Sequence, residues 1–326
     1  MRAVEVQTLE GVAGIRVVDR GEPDDDGEHV IVEVVSSAVS FPDLLQSKGL
    51  YQHRREPPFI AGIEMAGVVR SAPAHTQWRS GDRVCAWTTG ALAETVACVP
   101  KWVLPLPDEL SFDEGAALTL NYQTSLFALS RRARLAAGET VLVLGASGGI
   151  GTSSIQVAKA MRASMVIGLV STRDKVGIVD QAGADHAVVV SDTWRDEVLE
   201  LTHGHGVDVV CDPVGGDRFH DAVRVLARYG RLAVIGFAAG EIPEIKVNRI
   251  LLRNISIVGA AWGEAIVDEP LLARALHDEL IPMIVDGGLR PPIGRSLPLE
   301  QAPDGYRLLD ERRAVGKVVI KVRAEA

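Results

Sequence analysis

Residues 140–151 read Thr140-Val141-Leu142-Val143-Leu144-Gly145-Ala146-Ser147-Gly148-Gly149-Ile150-Gly151, and their reading decides the fold. Val141 to Leu144 form an unbroken apolar run, as a strand buried on both faces requires. Glycines follow at once, and beyond them Ile155, Ala158 and Met161 fall on one face of a helix. Further along the chain, apolar runs recur at Met165–Val170, Ala187–Val190, Val207–Val210, Leu232–Ile235 and Ile255–Val258. Helical stretches lie between most of them, and that alternation predicts a doubly wound parallel sheet of the α/β class.

The glycine turn then has a chemical meaning. Placed between a buried strand and a helix, it lets the backbone come close to a pyrophosphate while the helix N-terminus receives the charge. The strict dinucleotide pattern wants glycine at 146, where this chain has alanine; the strand–turn–helix context carries the assignment. Ser147, Gly148, Gly149 and Ile150 are the candidate pyrophosphate contacts. An NAD site places a carboxylate about 20 residues past the glycines, on the ribose hydroxyls. Counting from Gly151 reaches Ser171, within Val170-Ser171-Thr172-Arg173-Asp174-Lys175. Hydroxyls and two cations stand at this strand tip, the groups that bond a ribose 2′-phosphate. The expected cofactor is therefore NADPH, with Ser171, Arg173 and Lys175 on the phosphate and Asp174 read as a cap of the next helix.

Residues 1–120 have another rhythm. Short β-branched runs at Ile15–Val18, Val30–Val35, Gly67–Val69, Arg83–Ala86 and Thr95–Ala97 are punctuated by turns such as Gly21-Glu22-Pro23-Asp24-Asp25-Asp26-Gly27. They predict a small barrel-like domain. A helix from Leu271 to about Val285 and a last strand at Lys317–Ile320 close the chain.

At 326 residues, with 47% apolar and 24% charged residues, the chain suits two globular domains. A formal net charge of -9 and 5% aromatic residues argue against a nucleic-acid surface. The longest basic cluster, His53-Arg54-Arg55, is followed by Glu56 and reads as a solvated loop. No signal peptide and no apolar stretch of membrane-spanning length is legible, so a soluble, cytoplasmic protein is expected. Three scattered cysteines, Cys85, Cys98 and Cys211, suit buried thiols in a reducing compartment, with Cys85–Cys98 the one pairing left open. His203-Gly204-His205 reads as a solvent-facing turn with no third ligand nearby.

Several stretches together resemble one family: Ser40-Phe41-Pro42-Asp43 with Gly49-Leu50-Tyr51, Phe59-Ile60-Ala61-Gly62-Ile63-Glu64-Met65-Ala66-Gly67-Val68-Val69, Gly81-Asp82-Arg83-Val84, Gly215-Gly216, Ile235-Gly236-Phe237 and Gly316-Lys317-Val318-Val319. The chain is similar from end to end to the medium-chain dehydrogenase/reductase superfamily, in its zinc-independent, zeta-crystallin-like quinone oxidoreductase branch. The resemblance implies a GroES-like β-rich catalytic domain of residues 1–120 with 266–326, and a Rossmann NADPH-binding domain of residues 121–265. It implies that Thr124 lies near the nicotinamide amide, and that Asp212-Pro213-Val214 and Ile235-Gly236-Phe237 border the nicotinamide ribose. Tyr51 and Ser40 would face the cleft. Relatives often carry asparagine at position 40, and often a tyrosine near the adenosine phosphate where Val190 stands here.

The zinc-binding alcohol dehydrogenases of that superfamily use a cysteine and a histidine where this chain has Ser40 and Ile63, and a four-cysteine lobe that is missing between residues 85 and 110. No metal is expected, and Glu64 reads as a packing or hydrogen-bonding residue. Without a Lewis acid, acceptors that spread incoming charge by conjugation are favoured: quinones or α,β-unsaturated carbonyls. Tyr51 is the candidate hydrogen-bond donor to the developing oxyanion, with a pocket wall or a cofactor contact as its other readings. Tyr122 reads as packing. An enoyl-thioester reductase and a non-catalytic NADPH-binding protein remain open. The resemblance also implies a homodimer, paired through the apolar edge strand Ile255-Ser256-Ile257-Val258-Gly259.

Overall fold

The computed structural model describes residues 1–323, which divide into two compact units. One comprises Met1–Leu120, Ala273–Ile281 and the chain from Arg290 onward; the other comprises Asn121–Leu272 and Pro282–Leu289.

The first unit is built mainly on antiparallel strands, with Ile293–Pro298 and Lys317–Lys321 paired in parallel. Its larger sheet runs in the order Ile293–Pro298, Lys317–Lys321, Val30–Val39, Glu64–Ser71, Arg83–Trp87 and Val103–Pro105, with Thr95–Cys98 also pairing to Val30–Val39. Ten residues long and buried almost throughout, Val30–Val39 is the spine, because its β-branched side chains pack on both faces. A three-stranded sheet of Ile15–Asp19, Arg2–Val6 and Phe59–Ile60 lies in the same unit. Val32, Val34, Met65, Val84, Leu92, Tyr306 and Ile320 belong to one core. The final strand, Lys317–Lys321, enters the unit beside the spine with Val318 opposite Val39. Gly316 makes that entry possible: its φ is +64°, and a Cβ there would stand 2.7 Å from the Pro292 carbonyl oxygen.

The second unit is a six-stranded parallel sheet. Its order is His186–Val189, Met165–Val170, Thr140–Leu144, Val207–Asp212, Leu226–Val234 and Ser256–Gly259. Thr140–Leu144 lies at the point where the order reverses, between Met165–Val170 and Val207–Asp212. In such sheets the crevice beyond the strand C-termini at this point is the ligand site. The expected apolar runs all fall on strands, with Val190, Ile235 and Ile255 one residue outside them, and Leu232–Val234 is the latter part of a longer strand that begins at Leu226. The helix Gly149–Ala160 buries Ile155, Val157 and Ala158. The sheet ends on Ser256–Gly259, and the preceding helix Asn248–Arg253 buries none of its residues; Leu251 and Leu252 are each 71% exposed.

One loop differs from its sequence reading. His53 and Arg54 are exposed, but Arg55 is half-buried, with its guanidinium 4.3 Å above the Phe59 ring and a hydrogen bond to the Ile60 carbonyl at 3.0 Å. Its long stem and planar head are satisfied by an aromatic face and a backbone acceptor, a pairing that charge counting does not reveal.

Candidate functional site

In the parallel-sheet unit, backbone shapes the site. The chain leaves Leu144 through Gly145, whose φ of +59° only glycine holds without strain, and whose missing Cβ leaves room for Val214. Gly148 donates to the Gly145 carbonyl at 3.1 Å, and Thr152 donates back to the Gly148 carbonyl at 2.9 Å to start the helix. No side chain caps that helix at Gly148. A Cβ on Gly151 would stand 2.3 Å from the Gly145 oxygen and 2.5 Å from the Ala146 Cα, so glycine there closes the turn on itself. Gly149 has a reason the sequence did not disclose: a Cβ there would lie 2.3 Å from the Asn121 side-chain nitrogen. Asn121 and the buried Thr124 both come from the helical segment just before this sheet. Ser147 is buried, whereas Gly148, Gly149 and Ile150 keep partial exposure.

The neighbouring strand ends bring the other expected residues to the same edge. Ser171 and Arg173 are exposed and Lys175 half-exposed on the turn that follows Met165–Val170. Asp174 does not cap the next helix; a hydrogen bond from the Thr172 hydroxyl holds its carboxyl below the usual range. Asp212 ends the strand Val207–Asp212, buried, with one carboxylate oxygen accepting from Val214 and Gly215 at 2.9 and 2.8 Å. Burial raises its pKa, partly offset by those two bonds. Its place is to bend the loop, so that Val214 overlies Gly145. Ile235 and Gly236 follow the next strand and both donate to the Asp212 carbonyl, at 2.8 and 3.4 Å, while Phe237 is part exposed. Glycine turn, Ser171–Lys175 turn, Asp212 loop and Ile235–Phe237 loop thus share the C-terminal ends of adjoining strands. Tyr122 is buried and donates to Gln156 at 2.7 Å, a packing role.

In the β-rich unit, side chains shape the site. Ser40 is the N-cap of a short helix, Phe41–Ser47, and its backbone N–H donates to Asp43 at 2.8 Å. Its hydroxyl donates to Glu64 Oε1 at 2.7 Å and accepts from Lys317 Nζ at 2.7 Å. Lys317 also donates to the same Glu64 oxygen at 2.5 Å, while Glu64 Oε2 accepts from the Leu120 N–H at 3.1 Å. Ser40, Glu64 and Lys317 are 4%, 0% and 5% exposed. Burial pushes Asp43 up to about 7, with the Glu64 charge adding to the rise and the Ser40 N–H opposing it. Tyr51 is placed by a different contact, its ring edge-on to His53 at 5.8 Å between centroids. The sequence reading missed Lys317 as a site residue. Its one signal was the family stretch Gly316-Lys317-Val318-Val319, whose lysine starts a strand that is buried over its first four residues.

All three cysteines are free and buried, with thiols pushed up to about 12 by burial. His203, Gly204 and His205 are exposed.

One chain that holds a GroES-like β fold and a parallel sheet with a glycine turn at its switch point has the make-up of a dehydrogenase or reductase of the medium-chain type. Family models agree: residues 26–108 match the alcohol dehydrogenase GroES-like domain, and residues 149–277 match a domain described as zinc-binding dehydrogenase. The chain is 35% identical to a quinone oxidoreductase-like protein 2 homolog of Nematostella vectensis over 299 residues, covering 90% of this chain and 82% of that one. A probable oxidoreductase from Mycobacterium abscessus superposes with a TM-score of 0.92 at 42% identity, over 99% of both chains. The quinone oxidoreductase from Thermus thermophilus, solved also with NADPH, superposes with a TM-score of 0.84 at 32% identity, over 99% of this chain and 100% of that one. The chain belongs to the medium-chain dehydrogenase/reductase superfamily of oxidoreductases, in its quinone oxidoreductase-like branch.

The zinc in that domain description does not fit these residues. Zinc takes thiolate, imidazole and carboxylate donors, usually four together. Beside Glu64 stand a serine hydroxyl, the hydrocarbon of Ile63 and an ammonium already bonded to the carboxylate. Among the described residues no three His, Cys, Asp or Glu side chains gather where a metal ion could be held. A dinucleotide does fit the other unit, where a Cβ on Gly148 would have only the Gly145 oxygen within 4 Å, at 3.6 Å, so the start of the helix has room for a phosphate.

Proposed function

We propose that this chain is an NADPH-dependent reductase of quinones or α,β-unsaturated carbonyls that works without zinc. The observation that carries this reading is the set of groups at the sheet's switch point: a glycine turn beside a strand end that offers Ser171, Arg173 and Lys175. Ser147, Gly148, Gly149 and Ile150 hold the pyrophosphate at the start of the helix. Ser171, Arg173 and Lys175 bond the 2′-phosphate, which an NAD-type carboxylate would repel. Thr124 meets the nicotinamide amide, and Asp212–Val214 with Ile235–Phe237 border its ribose. Bound NADPH supplies a hydride from its nicotinamide ring. The chain's own task is alignment and electrostatics. Tyr51 and Ser40 offer hydroxyls as hydrogen-bond donors to the oxygen that gains charge, and solvent completes protonation. The unpaired edge Ser256–Gly259 and the exposed Leu251 and Leu252 support a homodimer formed through that edge, which light scattering checks.

The test is oxidation of NADPH by purified protein with 1,4-naphthoquinone, with 2-alkenals and, as a third arm, with an enoyl thioester. Turnover with either of the first two supports the reading, and turnover with none of the three removes it. Replacing Lys175 with Ala raises the NADPH dissociation constant about tenfold, the worth of one charge-assisted hydrogen bond, and leaves NADH unaffected. Equal losses for both dinucleotides would take Lys175 off the 2′-phosphate.

A further inference from the structure

Lys317 enters the buried core of the β-rich unit, 277 residues from the serine it bonds. Burying an ammonium beside a carboxylate is a weak source of stability, since desolvation takes back most of the attraction. An apolar pair would pack the same space, so the arrangement calls for a reason beyond folding. Geometry offers one. The Ser40 hydroxyl oxygen accepts from Lys317 Nζ at 2.7 Å, which draws electron density from the hydroxyl and makes its proton a stronger donor. That proton now points to Glu64 Oε1, the oxygen that Lys317 also neutralises. Backbone register fixes the ammonium's place, because Val318 is paired with Val39 and so sets Lys317 against Ser40 at the strand end. Glu64 is held from behind by the Leu120 N–H.

We propose that Lys317 is a positioning residue for the reductase, holding and polarising the Ser40 hydroxyl as the donor to the acceptor's charge-gaining oxygen. This rests on the reductase reading above. Glu64 serves as the resting acceptor of the Ser40 proton, and the substrate oxygen replaces it when charge develops there. Ser40 is thereby the residue that touches substrate, and Lys317 acts only through it.

The experiment is a mutant cycle on the full chain, reading kcat, KM and melting temperature with NADPH and 1,4-naphthoquinone. Lys317→Met together with Glu64→Gln removes both charges and leaves no lone buried ion. Its kcat falls about 100-fold, the usual loss on removing one oxyanion donor, while the dissociation constant for NADPH stays within about twofold. Ser40→Ala gives the same loss. Combining all three costs no more than Ser40→Ala alone, because a residue that works through Ser40 has nothing left to act on. Lys317→Arg, which keeps the charge, recovers turnover relative to the Met variant. A folded Lys317→Met/Glu64→Gln protein with turnover near wild type overturns the proposal. So does Ser40→Ala with unchanged kcat, a variant that does not disturb the ion pair and stays informative if the charge variants fail to fold. Losses that simply add in the triple variant also overturn it, by showing Lys317 to act on structure alone. Wild-type protein inert toward every acceptor would instead remove the reductase reading itself.

Discussion

In the parallel-sheet unit the glycine turn is made of backbone: Gly145, Gly148, Gly149 and Gly151 leading into a helix start, all next to one strand end. In the β-rich unit the candidate site is made of side chains: Ser40, Asp43, Glu64 and Lys317, drawn from a helix cap, a strand start and the chain's last strand. The glycine turn is neutral and depends on space. The side-chain site is charged and depends on balance, so it responds to the loss of one partner far more than to a change of shape.

Glu64→Gln carries the largest expected effect. The amide keeps one acceptor oxygen, for Ser40 or for the Leu120 N–H but not for both, and leaves the Lys317 ammonium buried without its counter-charge. Unfolding by urea is expected to show a loss of about 3–5 kcal/mol, as for other buried pairs broken on one side. A loss below about 1 kcal/mol would mean that water or Asp43 already balances Lys317, and the contrast between the units would weaken.

The glycine turn sets the next scale. Gly151→Ala forces a Cβ to 2.3 Å from a backbone oxygen that cannot step aside, and about 1–3 kcal/mol of stability is expected to go with it. Gly148→Ala is the control: its Cβ meets the Gly145 oxygen at 3.6 Å, an ordinary contact, so stability holds within about 0.5 kcal/mol. If Gly148→Ala nonetheless weakens NADPH binding in a fluorescence titration, the loss belongs to the approach of the pyrophosphate. Equal destabilisation by both would show that space at the turn is not what separates them.

This contrast also explains what was legible in the sequence. A buried strand followed by glycines and an amphipathic helix is a local pattern, and the period of its apolar residues writes it out in order; hence the parallel sheet, its strands and the turn were all readable. Even there the reading was partial. Gly149 looked like a pyrophosphate residue, and its tight partner is Asn121, a contact across 28 residues that no local pattern encodes. The β-rich site was harder. Ser40 and Glu64 stood out through the family resemblance, but nothing near position 317 announces that its lysine is buried. A lysine is usually solvated, and only the pairing of Val318 with Val39 sets this one beside Ser40. Arg55 was misread for the same reason, because its partner is the face of Phe59.

Asp43 gives the most specific handle on the charged unit. Its pKa is raised to about 7, first by burial and then by Glu64, against the opposing Ser40 and Gly62 N–H groups and the Lys317 charge; the Arg55 guanidinium, itself half-buried, also feels it. A carboxyl raised in the folded state binds its proton more tightly there than in the unfolded chain. Its contribution to stability is therefore complete below about 4 and lost as pH climbs towards 7. Asp43→Asn can keep the cap on the Ser40 N–H and does not titrate. The variant should gain on wild type as pH rises through that window, by at least about 1.4 kcal/mol, the worth of one pKa unit, and then hold level. Taking the difference between the two proteins cancels the other carboxylates that titrate near pH 4. The glycine variants of the parallel-sheet unit remove no titrating group, so the same subtraction for Gly148→Ala should be flat. A constant offset for Asp43→Asn would place a full charge at Asp43 throughout, and would require Arg55 or Lys317 to neutralise it more closely than their present contacts do.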